Sequence, residues 1–336
     1  MNPPDQKTTM ALPDSAPNLA AGTQRSGVPG EIMLLLTAFI WGTGFSVQRL
    51  AMALVQPFTF IAARFLIGSV VLLPLLAWQG GATPKDKETG RGSGRAWLVA
   101  SLGCGGVLFL AASFQQVGIV TTTAGKAGFI TALYIVIVPI LGLFLGKSVR
   151  LAHWMAVGLG VSGLYLLAVT SQFTIQRGDA AVLIGALLWA LHILAIDRAT
   201  RKTSGLKVAF GQFLVAGVLG FIVALAREAP TLDALKSAGW LIAYAGIVVV
   251  GVAYTLQVLG QVRVQPAVAS LILSLESVFA LLAGMLFLGE RMSAREGLGC
   301  VLMLAAVVLA QLKSKPLDAV TQEDAGPAHK AGQHED

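Results

Sequence analysis

Charge is what this sequence has least of. Only 12% of its 336 residues are Asp, Glu, Lys or Arg, while 55% are hydrophobic, about half the charged share of an ordinary soluble domain. A soluble fold needs a charged exterior, and here stretch after stretch of about twenty residues carries almost none. Cysteine occurs twice and histidine four times, which leaves neither a disulfide framework nor a zinc-ligand spacing. Cys104 and Cys300 both fall inside apolar runs, where a thiol packs as a small hydrophobe. The net charge of +7 does not point to nucleic acid, because Lys and Arg punctuate the apolar runs instead of forming a stripe with interleaved aromatics. Gly103-x-Gly105-Gly106 lacks the strand-to-helix setting of a nucleotide loop, so no nucleotide or other cofactor is expected.

What the sequence does contain is a succession of membrane-length apolar runs. They lie near 31–49, 57–78, 97–117, 122–145, 153–170, 179–196, 208–226, 240–260, 267–288 and 296–312. This predicts an all-α membrane protein of ten transmembrane helices. The stretches 1–30 and 313–336 are polar and hold Pro and Gly, so both read as disordered tails, and the first has no signal-peptide core. With the N-terminus inside, inner connections and tails carry sixteen Lys and Arg against six outside. The positive-inside rule therefore puts both termini in the cytoplasm of a cell whose inner membrane this chain crosses many times.

An internal repeat subdivides the ten runs. Residues 122–147 and 265–290 align without a gap at an offset of 143, placing Phe129-Ile130 on Ile272-Leu273 and Leu143-Phe144-Leu145-Gly146 on Leu286-Phe287-Leu288-Gly289. Upstream, Gln115-x-x-Gly118 corresponds to Gln257-x-x-Gly260, and Leu36 to Trp41 resembles Ile184 to Trp189. The halves are 31–170 and 179–312, five helices each. An odd number per half makes the second copy enter from the opposite side, giving two inverted five-helix repeats. Such architectures place a binding site near the midplane between the halves, with alternating access around it.

The residues resemble the EamA-type members of the drug/metabolite transporter superfamily. The resemblance spans roughly 31–312 and rests on Trp41-Gly42-Thr43-Gly44-Phe45, on Pro57 followed by Arg64, and on the paired fourth and ninth helices, the ninth with Ala267-x-x-x-Leu271, Glu276 and a Leu288-Gly289-Glu290 ending. Two departures stand out: Gly146-Lys147 replaces the Gly-Glu that the family pattern implies, and Lys126 adds a charge to the fourth helix. The resemblance implies ten helices in two halves and a transport activity.

Ionisable groups inside spans cost about 2.5–3.5 kcal/mol each near a helix centre, so each needs a reason. Glu276 lies too deep to snorkel and must be neutral or paired; it reads as a proton-titrating carboxylate or as the counter-charge to Lys126 or Arg64 across a central cavity, set against a structural ion pair. Arg64 and Lys126 are either site residues or side chains that snorkel to the interface. His192, in the middle of the sixth helix, is a site residue or a core histidine with one hydrogen bond. Gln115 and Gln257, a repeat-related pair, line the cavity from both halves or glue helices together, and Trp41 and Trp189 form its wall or simply pack.

These readings converge on a secondary transporter exporting a small metabolite, whether an amino acid, an organic anion or an amphipathic drug, with protons as a possible coupling ion. The alternative is a membrane-embedded enzyme acting on a lipid. That would need convergent catalytic groups near one interface, and His192 and Asp197 are too far apart in depth to serve. The partners expected are a small-molecule substrate and the lipid bilayer, with no metal.

Overall fold

The computed structural model describes residues 28–78, 94–122, 124–147, 149–168, 176–288 and 292–312. The tail segments 1–27 and 313–336 and the Gly289-Glu290 motif lie outside the described residues. Every regular element among those described is a helix. In chain order they are α1 (Gly30–Ala51), α2 (Pro57–Trp78), α3 (Gly94–Thr121), α4 (Ala124–Ala132 and Tyr134–Phe144), α5 (Leu151–Ala168), α6 (Arg177–Thr200), α7 (Gly205–Arg227), α8 (Gly239–Tyr244, Ala245–Tyr254 and Thr255–Gln261), α9 (Pro266–Leu273 and Glu276–Leu288) and α10 (Ala294–Leu312). A six-residue helix, Leu232–Ser237, leads into α8. Among the described residues nine of these helices are long and apolar enough to cross a membrane, and α5 is apolar but shorter.

The outward faces are as apolar as the core. Val70, Val99, Phe221, Leu225, Val301 and Val308 are all at least half exposed. No water-soluble protein leaves so continuous an apolar surface uncovered. Hydrocarbon is the solvent that accepts it, and the chain is a multi-pass membrane protein.

Helix ends follow local chemistry. Proline opens α2 at Pro57 and α9 at Pro266, where its missing N–H costs nothing. Glu31 stands in the first turn of α1 and Arg49 in the last, each complementing the helix dipole. Arg49 also donates to the carbonyls of Ile119 and Val120 at 3.0 and 2.8 Å, tying α1 to the end of α3.

With no hydrophobic force between helices inside lipid, close packing rests on small residues. Gly163 of α5 and Gly299 of α10 face each other so closely that a Cβ on either would come within 2.7 Å of the other's carbonyl oxygen. Elsewhere α3 packs on α6 and α7, α2 on α7 and α8, and α1 on α8 and α9.

Three spans depart from regular α geometry, and all three departures face the centre of the bundle. α4 is interrupted at Leu133, where backbone bonds tighten to Leu133 N→Ile130 O (3.2 Å) and Val136 N→Leu133 O (3.0 Å). α9 is interrupted at Ser274 and Leu275, and the Ser274 hydroxyl donates back to the Leu271 carbonyl at 2.8 Å. At the repeat offset of 143 the two interruptions coincide to within about two residues. The middle of α8, Ala245–Tyr254, is a ten-residue π-helix, a form that concentrates at functional sites.

Two ends of the bundle can be told apart by these contacts. On the near face, where α1 begins, the Arg263 guanidinium donates to the Val28 carbonyl at 2.6 Å and Trp97 Nε1 to the Lys207 carbonyl at 2.9 Å. On the far face, the Glu228 carboxylate at the end of α7 accepts from the Phe58 and Thr59 amides opening α2, at 2.8 and 2.7 Å.

Candidate functional site

Both interruptions deliver polar side chains to one small central cavity. The break in α4 presents Thr131 and Tyr134; the break in α9 presents Glu276. Tyr134 Oη donates to Glu276 Oε1 at 3.0 Å. Gln115 of α3 donates through Nε2 to Thr131 Oγ1, also at 3.0 Å. Gly42 lets α1 approach the kink, because a Cβ there would sit 2.8 Å from the Glu276 carbonyl oxygen.

Aromatic rings form the remaining wall. Tyr254, delivered by the last residue of the π segment, lies 4.7 Å from Trp41 and 5.8 Å from Trp189, ring centre to ring centre, and the two indoles are 6.2 Å apart. Phe45, Gln48 and Val249 complete the lining. The indole N–H groups of Trp41 and Trp189 are buried with no hydrogen-bond partner among the described residues. The cavity volume is about 20 Å³, room for about one water molecule. A solute of metabolite size requires the helices around it to part.

Behind the wall, Arg64 of α2 is fully buried, so it does not snorkel. Its Nη1 donates to Gln48 Oε1 at 3.0 Å, and its guanidinium lies 4.9 Å from the centre of the Phe65 ring and 5.3 Å from that of Phe60. Cation–π contacts of this kind compensate part of the lost hydration. Arg64 and Glu276 both lie within electrostatic reach of Tyr254. His192 is buried one turn from Trp189, 5.6 Å ring to ring, and shares a 2.9 Å hydrogen bond with Gln212 instead of lining the cavity.

The pairing of Lys126 with Glu276 considered on sequence grounds is replaced by another. Lys126 Nζ donates to Asp179 Oδ2 at 2.6 Å, near the far face. The same carboxylate accepts from Thr122 Oγ1 at 2.5 Å and from the Gln176 amide at 2.7 Å. Glu276 and Arg64 do not pair with each other either; Glu276 has Tyr134 and Arg64 has Gln48. At the other end of the same two helices, Lys147 of the α4–α5 connection donates to Asp197 of α6, which Arg201 also reaches at 3.4 Å. Two Lys–Asp ties thus join α4 to α6, one on each side of the cavity.

Of the residues singled out by sequence, Glu276, Gln115, Trp41 and Trp189 meet at the cavity. Arg64 and His192 support it from behind, Lys126 belongs to the far tie, and Gln257 is buried away from it with neither side-chain atom bonded among the described residues. Sequence reasoning missed Tyr134, Tyr254, Gln48, Thr131 and Asp179. The tyrosines sit inside apolar runs and count there as hydrophobes. Asp179 carries a readable signal, Gln176-x-x-Asp179, which forms a reciprocal capping box opening α6. No cluster of three or more His, Cys, Asp or Glu that could hold a metal occurs among the described residues.

Apolar spans enclosing a carboxylate, a guanidinium and a ring of aromatics define a polytopic membrane protein with a polar centre. The chain belongs to the EamA-like transporter family, whose model matches twice, over residues 28–169 and 176–312. It is 31% identical over 289 residues to an uncharacterized transporter of Archaeoglobus fulgidus, covering 84% of this chain and 86% of that one. It is 26% identical to the uncharacterized inner membrane transporter YedA of Escherichia coli K12 (85% and 93% covered) and 27% identical to the uncharacterized transporter YwfM of Bacillus subtilis (83% and 92% covered). One solved crystal structure superposes with a TM-score of 0.69 at 20% identity, over 85% of this chain and 99% of that one, which shows a shared fold. The family and these relatives are named as transporters, consistent with a protein that is not an enzyme.

Proposed function

We propose that this protein is a secondary transporter of the inner membrane, ten helices in two inverted five-helix halves with both termini cytoplasmic, that exports a small metabolite by alternating access through the cavity at Glu276. The observation that carries this reading is the position of that cavity. It sits where two repeat-related spans break, with a Lys–Asp tie between α4 and α6 on either side. Opening the far side separates Lys126 from Asp179; opening the near side separates Lys147 from Asp197. Keeping one tie closed while the other opens is what alternating access requires.

The lining favours a solute with a cationic nitrogen beside an apolar body, as in an amino acid or an amphipathic amine. Glu276 supplies the anion and Trp41, Trp189 and Tyr254 supply π faces. An organic anion finds no cation on this wall, since Arg64 is screened behind Gln48. Glu276 is the carboxylate through which proton exchange would couple to the solute.

The test is uptake into proteoliposomes preloaded with the same amine-bearing solutes. Saturable exchange is expected, and Glu276→Gln, which keeps an acceptor for Tyr134, lowers it by about tenfold or more while the folded yield stays at wild type. Wild-type exchange and an unaltered pH profile in that variant would remove Glu276 from the mechanism.

A further inference from the structure

A second cavity, about 420 Å³ in volume, opens on the near face between the beginning of α3 and the end of α6. It shares no residue with the aromatic site. Its mouth is basic: Arg95 rises from the first turn of α3, Arg198 stands in the last turn of α6 and Lys202 in the turn that follows it. Its floor is apolar, built from Val99, Gly103 and Ala199. None of the three cations has an ion-pair partner among the described residues, and the nearby Asp197 is engaged by Lys147 and Arg201. Three like charges at the mouth of one groove repel, so this cluster calls for an anion.

The floor indicates which anion. Val99 and its neighbours Leu98 and Leu102 are 64%, 50% and 55% exposed, so the groove is continuous with the hydrocarbon-facing side of α3. Beside Gly103, and a turn deeper beside Gly106, a Cβ would meet no atom within 4 Å, leaving an open track along the helix. A soluble phosphate would use the three cations and leave that track idle. A lipid uses both, its headgroup at the basic mouth and an acyl chain on the floor, the pattern of basic pockets between spans.

We propose that this groove is a binding site for an anionic phospholipid, its phosphate held by Arg95, Arg198 and Lys202 and one chain lying along Val99 and Gly103. The full-length protein, extracted in mild detergent and mixed with equal phosphatidylglycerol and phosphatidylcholine of the same chains, is weighed by native mass spectrometry. Wild type retains phosphatidylglycerol in preference. Each of Arg95→Gln, Arg198→Gln and Lys202→Gln lowers that preference about fivefold. Gly103→Leu leaves every charge in place, fits the open track, and also weakens retention. Equal retention of the two lipids by wild type overturns the proposal. So does full retention in Gly103→Leu, which would make the cluster a mere surface charge, or displacement of the lipid by millimolar inorganic phosphate, which would make it a site for a soluble anion.

Discussion

The two Lys–Asp ties join the same pair of helices yet are built differently. In the far tie, Asp179 accepts three hydrogen bonds and only 7% of its side chain is exposed, with Lys126 at 15%. In the near tie, Asp197 is 15% exposed and its partners Lys147 and Arg201 are 30% and 66% exposed. A dry, fully bonded carboxylate resists losing one partner, because the remaining charge is stranded. A wet pair exchanges its partner for water at small cost. The far side of the cavity is therefore latched and the near side merely fastened, and the resting protein should favour opening toward the near face.

The largest effect expected from this contrast is at Asp179. Asp179→Asn strands Lys126 and should cost about 3 kcal/mol, read as a drop in thermal unfolding midpoint. Exchanging the pair, Lys126→Asp with Asp179→Lys, should restore more than half of that loss; no recovery would mean that the Thr122 and Gln176 bonds, and not the ion pair, hold the far side. Asp197→Asn comes next and should cost about 1 kcal/mol or less, with wild type approaching the variant as salt rises. A cost equal to that of Asp179→Asn would abolish the asymmetry. Smallest is Arg201→Ala, an exposed pair one turn apart on the surface of α6, at about 0.3–0.5 kcal/mol; an effect above that would show Arg201 to be a full member of the near tie.

The helices were legible because about twenty apolar residues in lipid leave the backbone no other way to satisfy itself. Expected and observed limits of α2 coincide at 57 and 78, and the run expected near 97–117 extends as α3 from Gly94 to Thr121. The breaks were not legible. Leu133 is an ordinary apolar residue at the interruption of α4, whereas Pro139, the obvious breaker, sits within its second half, as Pro74 sits within α2. Nothing in Ala245–Tyr254 announces a π-helix, since the segment is apolar nearly throughout and holds no proline. The cavity was half legible: Glu276, Gln115 and two buried tryptophans betray themselves by polarity or size, while Tyr134 and Tyr254 disappear into hydrophobic runs until the fold turns their hydroxyls inward.

The π segment of α8 has a consequence for how the site could be altered. Bonds from each residue to the fifth before it hold more chain per turn than an α-helix does, so the segment stores slack in the span that carries Tyr254. Deleting a residue within it would draw on that slack, the backbone rewinding to α geometry with the flanking turns held near their places. Tyr254 would then stay against the indoles of Trp41 and Trp189, so this span can absorb a deletion that a regular α-helix would turn into a rotation of about 100°.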